Sequence, residues 1–181
     1  MQKKQTVLAV DLDHSLIDTD MIYLGLRQLI YKKIYLLPYL FYLRFFKGKP
    51  HAKEFLYRMT NLDIDKLPFN NELIDYINKE KHKYDHIILI SGSYYKYVQS
   101  IFKHLRLFDS FAGTDLMTNM ISENKVKYLN KQFHNPIFDY VGDSKKDLPI
   151  WELSRRAFVV DHGNILKKIS HLKYKVVSKR Y

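Results

Sequence analysis

Four short stretches of this sequence hold residues that can do chemistry together. They are Asp11-Leu12-Asp13-His14-Ser15, Ser91-Gly92-Ser93, Lys125, and Gly142-Asp143 with Asp147 four residues on. Between them they offer several carboxylates, one lysine and one or two hydroxyls. Carboxylates that converge on one edge repel each other unless a cation sits between them. With oxygen ligands only, a hard ion such as magnesium is the natural choice. Magnesium, a lysine and free backbone N–H groups suit a phosphate. A carboxylate facing that phosphate can attack it and form an aspartyl-phosphate. A second carboxylate two residues on can protonate the leaving oxygen and then activate water.

Such a set needs a scaffold that gathers distant segments, and the hydropathy pattern supplies one. Thr6 to Asp11 (TVLAVD) is an apolar run that ends at a carboxylate, as a buried parallel strand does. His86 to Ile90 (HIILI) is a second strand, followed at once by Ser91-Gly92-Ser93. Ser110 to Leu116 contains a third, Ile137 to Val141 is a fourth that stops at Gly142-Asp143, Ala157 to Asp161 is a fifth, and Tyr174 to Val177 suits a sixth. Helical patterns alternate with them at Asn70 to Lys83, Tyr94 to Leu107, Lys125 to Phe133 and Leu148 to Arg155. This alternation predicts an α/β, Rossmann-like fold with a parallel sheet. The chemistry-bearing residues then lie at the carboxyl ends of the strands, where open α/β sheets bind ligands. Residues 20–69 carry no convincing strand. They read as a helical insertion, which leaves residues 1–19 and 70–181 as the core.

Composition narrows the field. The chain has 181 residues, enough to bury a core without staples, and no cysteine, which excludes disulfides, thiolate nucleophiles and cysteine metal sites. Its net charge of +11 favours anionic partners such as phosphorylated metabolites, acidic lipid headgroups or nucleic acid. Met1 to Thr6 lacks the apolar stretch of a secretory signal. Met21 to Phe46 is 26 residues long with 19 apolar or aromatic, but Arg27, Lys32, Lys33, Pro38 and Arg44 interrupt it, which argues against a spanning helix. A cytoplasmic protein is expected, with the membrane surface as an allowed location. Pro38 is expected to split this stretch into two helices.

At these residues the sequence resembles the haloacid dehalogenase-like phosphohydrolases. Four motifs of that superfamily occur in order: Asp11-x-Asp13-x-Ser15 after an apolar strand, Ser91 after HIILI, Lys125, and Gly142-Asp143-x-x-x-Asp147. The resemblance implies a small helical cap inserted after the first motif, and a magnesium-dependent phosphomonoesterase. It implies that Asp11 is the nucleophile and a magnesium ligand. Asp13 is then the general acid and base, binding the metal through its backbone carbonyl. Ser91 and the N–H of Gly92 hold the phosphate, with Ser15 in the substrate-binding set. Lys125 bridges Asp11 and the phosphate, and Asp143 and Asp147 complete the metal site. One departure is His14, where the family usually has glycine. A narrower resemblance, carried by VDLDHSLIDTD, LPFNNELIDYI, LFDSFAGTD and DYVGDSKKDLPIWELSRRA, is to the phosphatase-like domain found beside UbiA-type prenyltransferases. It implies a phosphate on a lipid-linked or other amphiphilic molecule, with a soluble metabolite as the competing substrate; the 181 residues leave no room for the membrane enzyme itself.

Several features stay open at this level. Ser93 competes with Ser91 and Lys127 with Lys125; the first of each pair is preferred for ending its strand directly, or for opening its helix. Tyr31, Tyr35, Tyr39 and Tyr42 fall near one helix face and read first as core packing. Yet Met21 to Arg58 holds eight Lys or Arg and a single acid, Glu54, which suits a peripheral membrane contact or a grip on an anionic substrate with an apolar tail. The basic C-terminal stretch from Ile165 reads as a solvated edge or an anion contact, and nucleic acid is the less favoured partner. The contrasting reading is a non-catalytic adaptor that uses the basic aromatic segment at membranes or on a protein partner.

Overall fold

The computed structural model describes residues 4–161 and 165–179. The leading residues 1–3 and the end of the C-terminal basic stretch at Arg180 and Tyr181 lie outside the described residues. Six strands form one all-parallel sheet: β1 (Thr6–Val10), β2 (His86–Tyr94), β3 (Ser110–Thr114), β4 (Ile137–Gly142), β5 (Arg156–Asp161) and β6 (Tyr174–Lys179). Their order is β3-β2-β1-β4-β5-β6. β1 is therefore central, and the chain reverses its direction of travel across the sheet beside it. That crevice, between the carboxyl ends of β1 and β4, is the expected ligand position of such a sheet.

Alternate residues of β1 serve opposite faces, as the two-residue period of a strand requires. Leu8 and Val10 join Leu73 and Ile77 of α4 (Asn71–Glu80) and Val98 and Ile101 of α5 (Tyr95–Leu105). Val7 and Ala9 join Ile88, Leu129 of α6 (Glu123–Phe133) and Trp151 of α7 (Leu148–Trp151). α4 starts where Asn70 caps it, its side chain accepting from Leu73 N–H at 3.2 Å. Burying both faces explains why the strands read as continuous apolar runs. β2 extends past Ile90 to Tyr94, because a register shift lets Tyr94 pair with Thr114. α7 stops at Trp151, earlier than the helical pattern suggests, and Arg155 N–H then bonds Phe138 C=O at 2.8 Å.

Between β1 and α4 lie α1 (Met21–Lys33), α2 (Leu37–Tyr42) and α3 (Lys49–Met59), with a wide π turn over Leu43–Lys47. The first break comes at Lys33 (φ −149°, ψ 46°), and Pro38 stands in the first turn of α2, where its missing N–H costs nothing. The buried hydrophobic cluster that these helices form with one another is small: Leu29, Leu40, Ala52 and Leu56. The tyrosine stripe is not core. Tyr31 and Tyr35 are 81% and 73% exposed, and Tyr39 and Tyr42 are about half exposed. The helices bury only that small cluster, and the tyrosines are left mostly outside it, Tyr39 standing edge-on to Phe55 of α3 at 5.2 Å between ring centroids. Among the described residues, no helix is long and apolar enough to cross a membrane.

Candidate active site

β1 delivers Asp11 to the crevice. Asp11 N–H continues the sheet by bonding Val141 C=O at 3.0 Å, which locks its backbone beside β4. Its Oδ1 accepts from Leu12 N–H at 2.8 Å and from the Lys125 ammonium at 2.9 Å. Lys125 is buried on α6, as its third residue and not its first, and it also donates to the Tyr140 hydroxyl at 2.7 Å. Tyr140 in turn donates to Asp147 Oδ1 at 2.8 Å. The other oxygen of Asp147 accepts the N–H groups of Asp143 and Ser144 and the Ser144 hydroxyl. Asp147 thereby closes a capping box around the turn after β4. Gly142 permits this closure, since a Cβ there would lie 2.8 Å from Asp147 Cγ.

Asp11, Asp143 and Asp147 each offer an oxygen, and the three oxygens lie within 4.8 Å of one another. Burial pushes the Asp11 carboxyl up to about 7, against the opposing pull of Lys125 and with the charges of Asp147 and Asp13 adding to it. Burial likewise raises Asp143 to about 8, helped by Asp147 and Asp11. Three carboxylates this close together, two of them raised by burial and one paired with a lysine, have the donor chemistry of a hard divalent cation site.

Asp13 does a different job. Its Oδ1 accepts from Met21 N–H at 3.0 Å, so it caps the start of the insertion. Its Oδ2 accepts from the hydroxyls of Ser93 at 2.7 Å and Ser91 at 3.1 Å. Its side chain is thus turned away from the three-carboxylate group. Burial, followed by the charge of Asp20, raises the Asp13 carboxyl as well.

A cavity of about 160 Å³ opens at this edge, with Asp11, Asp13, Gly92, Ser93, Lys125, Asp143 and Asp147 in its lining. Ser91 is fully buried, and its hydroxyl also accepts from Ser93 N–H at 2.9 Å. Ser93, the less favoured of the two in the sequence, is the one whose side chain lines the cavity. Lys125 faces the site, while Lys127 lines a separate groove beside Tyr128 and Lys131. Ser15 is not brought to the cavity. The bend after Asp13 turns it inward, and its hydroxyl is buried without a hydrogen-bond partner. His14 occupies that bend at φ 58° and lines the cavity mouth.

Two residues of the site escape sequence reasoning. Tyr140 sits in IFDYV, where any large residue suits a buried strand. Lys53 belongs to α3 yet is 8% exposed, and its ammonium donates to Gly92 C=O at 2.6 Å, Asn119 Oδ1 at 2.7 Å and Thr114 Oγ1 at 3.3 Å. It lines the cavity too, and burial lowers it to about 8. The available signal is its place between Ala52 and Leu56, on the buried stripe of α3.

Comparison with known proteins fits this geometry. No family model matches the chain. A 118-residue stretch is 31% identical to the uncharacterized protein y4nM of Sinorhizobium fredii (strain NBRC 101917 / NGR234), covering 65% of this chain but 23% of that protein. The chain thus spans about a quarter of the length of the curated relative that it matches. Among solved structures, a protein of unknown function from Bordetella pertussis Tohama I superposes with TM-score 0.73 at 15% identity, over 97% of this chain and 100% of that one. A HAD-superfamily hydrolase from Ehrlichia chaffeensis superposes with TM-score 0.54 at 21% identity, over 97% and 93%. A substrate-bound phosphoserine phosphatase does so with TM-score 0.63 at 14% identity, over 98% and 96%. The chain has the haloacid dehalogenase-like fold. Within this fold the first, third and fourth of the sequence's motifs meet through Asp11, Lys125, Asp143 and Asp147, and the second meets the first through Asp13.

Proposed function

We propose that this protein is a phosphomonoester hydrolase that works through an aspartyl-phosphate on Asp11. The observation that carries the reading is the ion pair of Asp11 and Lys125 within a buried group of three carboxylates. Leu12 N–H and Lys125 hold Oδ1, so Oδ2 is the atom that attacks phosphorus. The phosphorus–oxygen bond to the leaving group breaks, and Asp13 supplies the proton that the leaving alcohol takes. Asp13 then accepts a proton from water, which attacks phosphorus; the bond to Asp11 breaks and inorganic phosphate departs. Burial keeps a proton on Asp13 at higher pH than usual, as a general acid requires. Asp11, Asp143 and the backbone carbonyl of Asp13 would hold a magnesium ion, with Asp147 as further ligand or support. Bound there, the ion neutralises the carboxylates and the phosphate oxygens.

Residues 20–69 act in this reading as a cap, and Lys53 ties it to the phosphate-binding turn at Gly92. Ile22 at the cavity mouth also belongs to a groove lined by Tyr23 and Leu26, which runs along α1. Its apolar side, Ile22, Tyr23 and Leu26, supports a phosphate carried on an amphiphilic or lipid-linked molecule, while His14, Asp18, Thr19 and Asp20 line the rest. The test is acid quenching during turnover of a phosphomonoester, followed by mass spectrometry of the Asp11 peptide. A peptide carrying one phosphoryl group is expected. Turnover with no such species, in protein quenched at several times, overturns the covalent route.

A further inference from the structure

Ten large hydrophobic side chains between Tyr23 and Phe46 are exposed: Tyr23, Ile30, Tyr31, Ile34, Tyr35, Tyr39, Phe41, Tyr42, Phe45 and Phe46. In a soluble domain, such residues are scattered singly. Here they share one helical unit and pack on one another. Phe46 stacks on Tyr42 at 5.2 Å between ring centroids, and Phe41 stacks on Phe45 at 6.4 Å. Phe46 remains 76% exposed after this contact.

Cations surround the aromatic rings. Arg27, Lys32, Arg44, Lys47 and Lys49 are all exposed. Among the described residues they form no salt bridge, and the one acid of the segment, Glu54, is engaged with Arg58 at 2.8 Å. Arg44 lies over the Phe45 ring at 5.8 Å, keeping its charge at the level of the aromatic face.

We propose that this aromatic and basic face seats the protein on an anionic lipid surface. Tyrosine rings, apolar in the body and polar at the tip, belong at the headgroup level. Phe and Ile go deeper, and Lys and Arg reach outward to phosphate groups. Charge complementarity selects this occupant over a second copy of the chain, because a symmetric contact would set the five exposed cations against another five, with Glu54 already paired to Arg58 on each side. The inference goes beyond the catalytic reading and stands without it.

Co-sedimentation with vesicles tests this. One vesicle is phosphatidylcholine alone; the other contains about a third phosphatidylglycerol, enough to give a strongly negative surface. The full chain is expected to bind the anionic vesicles at least about tenfold more tightly. The triple variant Tyr31→Ser, Phe45→Ser, Phe46→Ser keeps every charge, and its binding should fall by about tenfold or more. The triple variant Lys32→Glu, Arg44→Glu, Lys47→Glu should lose the preference for anionic vesicles. Phe46→Trp adds an exposed reporter beside the buried Trp151, and its emission should shift to the blue on anionic vesicles alone. Asp11→Asn should bind vesicles as the parent does, which separates this proposal from the catalytic one. Unchanged binding by the serine variant overturns seating by the aromatic face. So does absence of vesicle binding, whether the parent is then a dimer that the serine variant dissolves, or binds RNA instead.

Discussion

The two halves of this molecule handle apolar residues in opposite ways. In the sheet region, every large apolar side chain of β1 is fully buried, and its buried charges are paired: Asp11 with Lys125 where the strand ends, and Asp139 of β4 with Arg155. In residues 20–69, four residues form the buried cluster while ten large apolar side chains face outward. The first region follows from stability alone: burying both sheet faces is what holds it together. The second does not, and exposed area on that scale costs solubility with no return in folding. What stability does not explain invites a functional account, and the two regions meet at Lys53.

The sharpest way to break the comparison is at the buried charges. Asp11→Asn keeps the shape of the side chain and should abolish phosphate release, by at least about a thousandfold if the carboxylate is the nucleophile. Next come the apolar positions. Leu8→Ala in β1 should cost about 2–5 kcal/mol in chemical denaturation, the usual range for a buried leucine. Tyr31→Ser, on the outward face, should change stability by less than about 0.5 kcal/mol. Equal costs at the two positions would erase the distinction between the regions.

Metal and pH sharpen it further. Asp11 and Asp143 are raised toward about 7 and 8, so the folded protein holds protons there that the unfolded chain has released. Metal-free stability should therefore fall as pH rises from about 4 to about 8. Added magnesium should restore it, raising Tm by roughly 2–4 °C at pH 8 and little at pH 5. Asp143→Asn should flatten the pH dependence and remove the response to magnesium. A smaller effect is expected at the junction. Lys53→Met leaves Gly92 C=O and Asn119 Oδ1 to share the single proton of the Thr114 hydroxyl, and kcat/KM should drop about tenfold. Lys53→Arg should recover part of that loss.

Much of the core was legible because it obeys simple periodicities. β1 and β2 are buried on both sides and so read as unbroken apolar runs ending in Asp11 and Ser91, and β4 reads the same way but for Asp139 before it ends in Gly142-Asp143. The pairing of Asp11 with Lys125 could be anticipated from motif order, although nothing local brings residues that far apart together. The exposure of the tyrosine stripe was hidden, since spacing at helical intervals shows that residues share a face but not what the face meets. The inward turn of Ser15 was hidden because the bend at His14 sets its direction, and a positive φ leaves little trace in a sequence when the residue is not glycine. Tyr140 and Lys53 were hidden for a related reason. Tyr140 sits within a buried strand and Lys53 on the buried stripe of a helix, and only the folded contacts reveal that the polar end of each is engaged.

The central claim is that Asp11, held by Lys125 among buried carboxylates, does covalent phosphate chemistry. Its most direct test is phosphate release from a panel of an aryl phosphate and lipid-linked phosphates, with magnesium or a chelator, for the parent chain and Asp11→Asn. The account predicts release that requires magnesium and disappears in Asp11→Asn. Release that survives chelation, or that Asp11→Asn sustains at the parent rate, would contradict it.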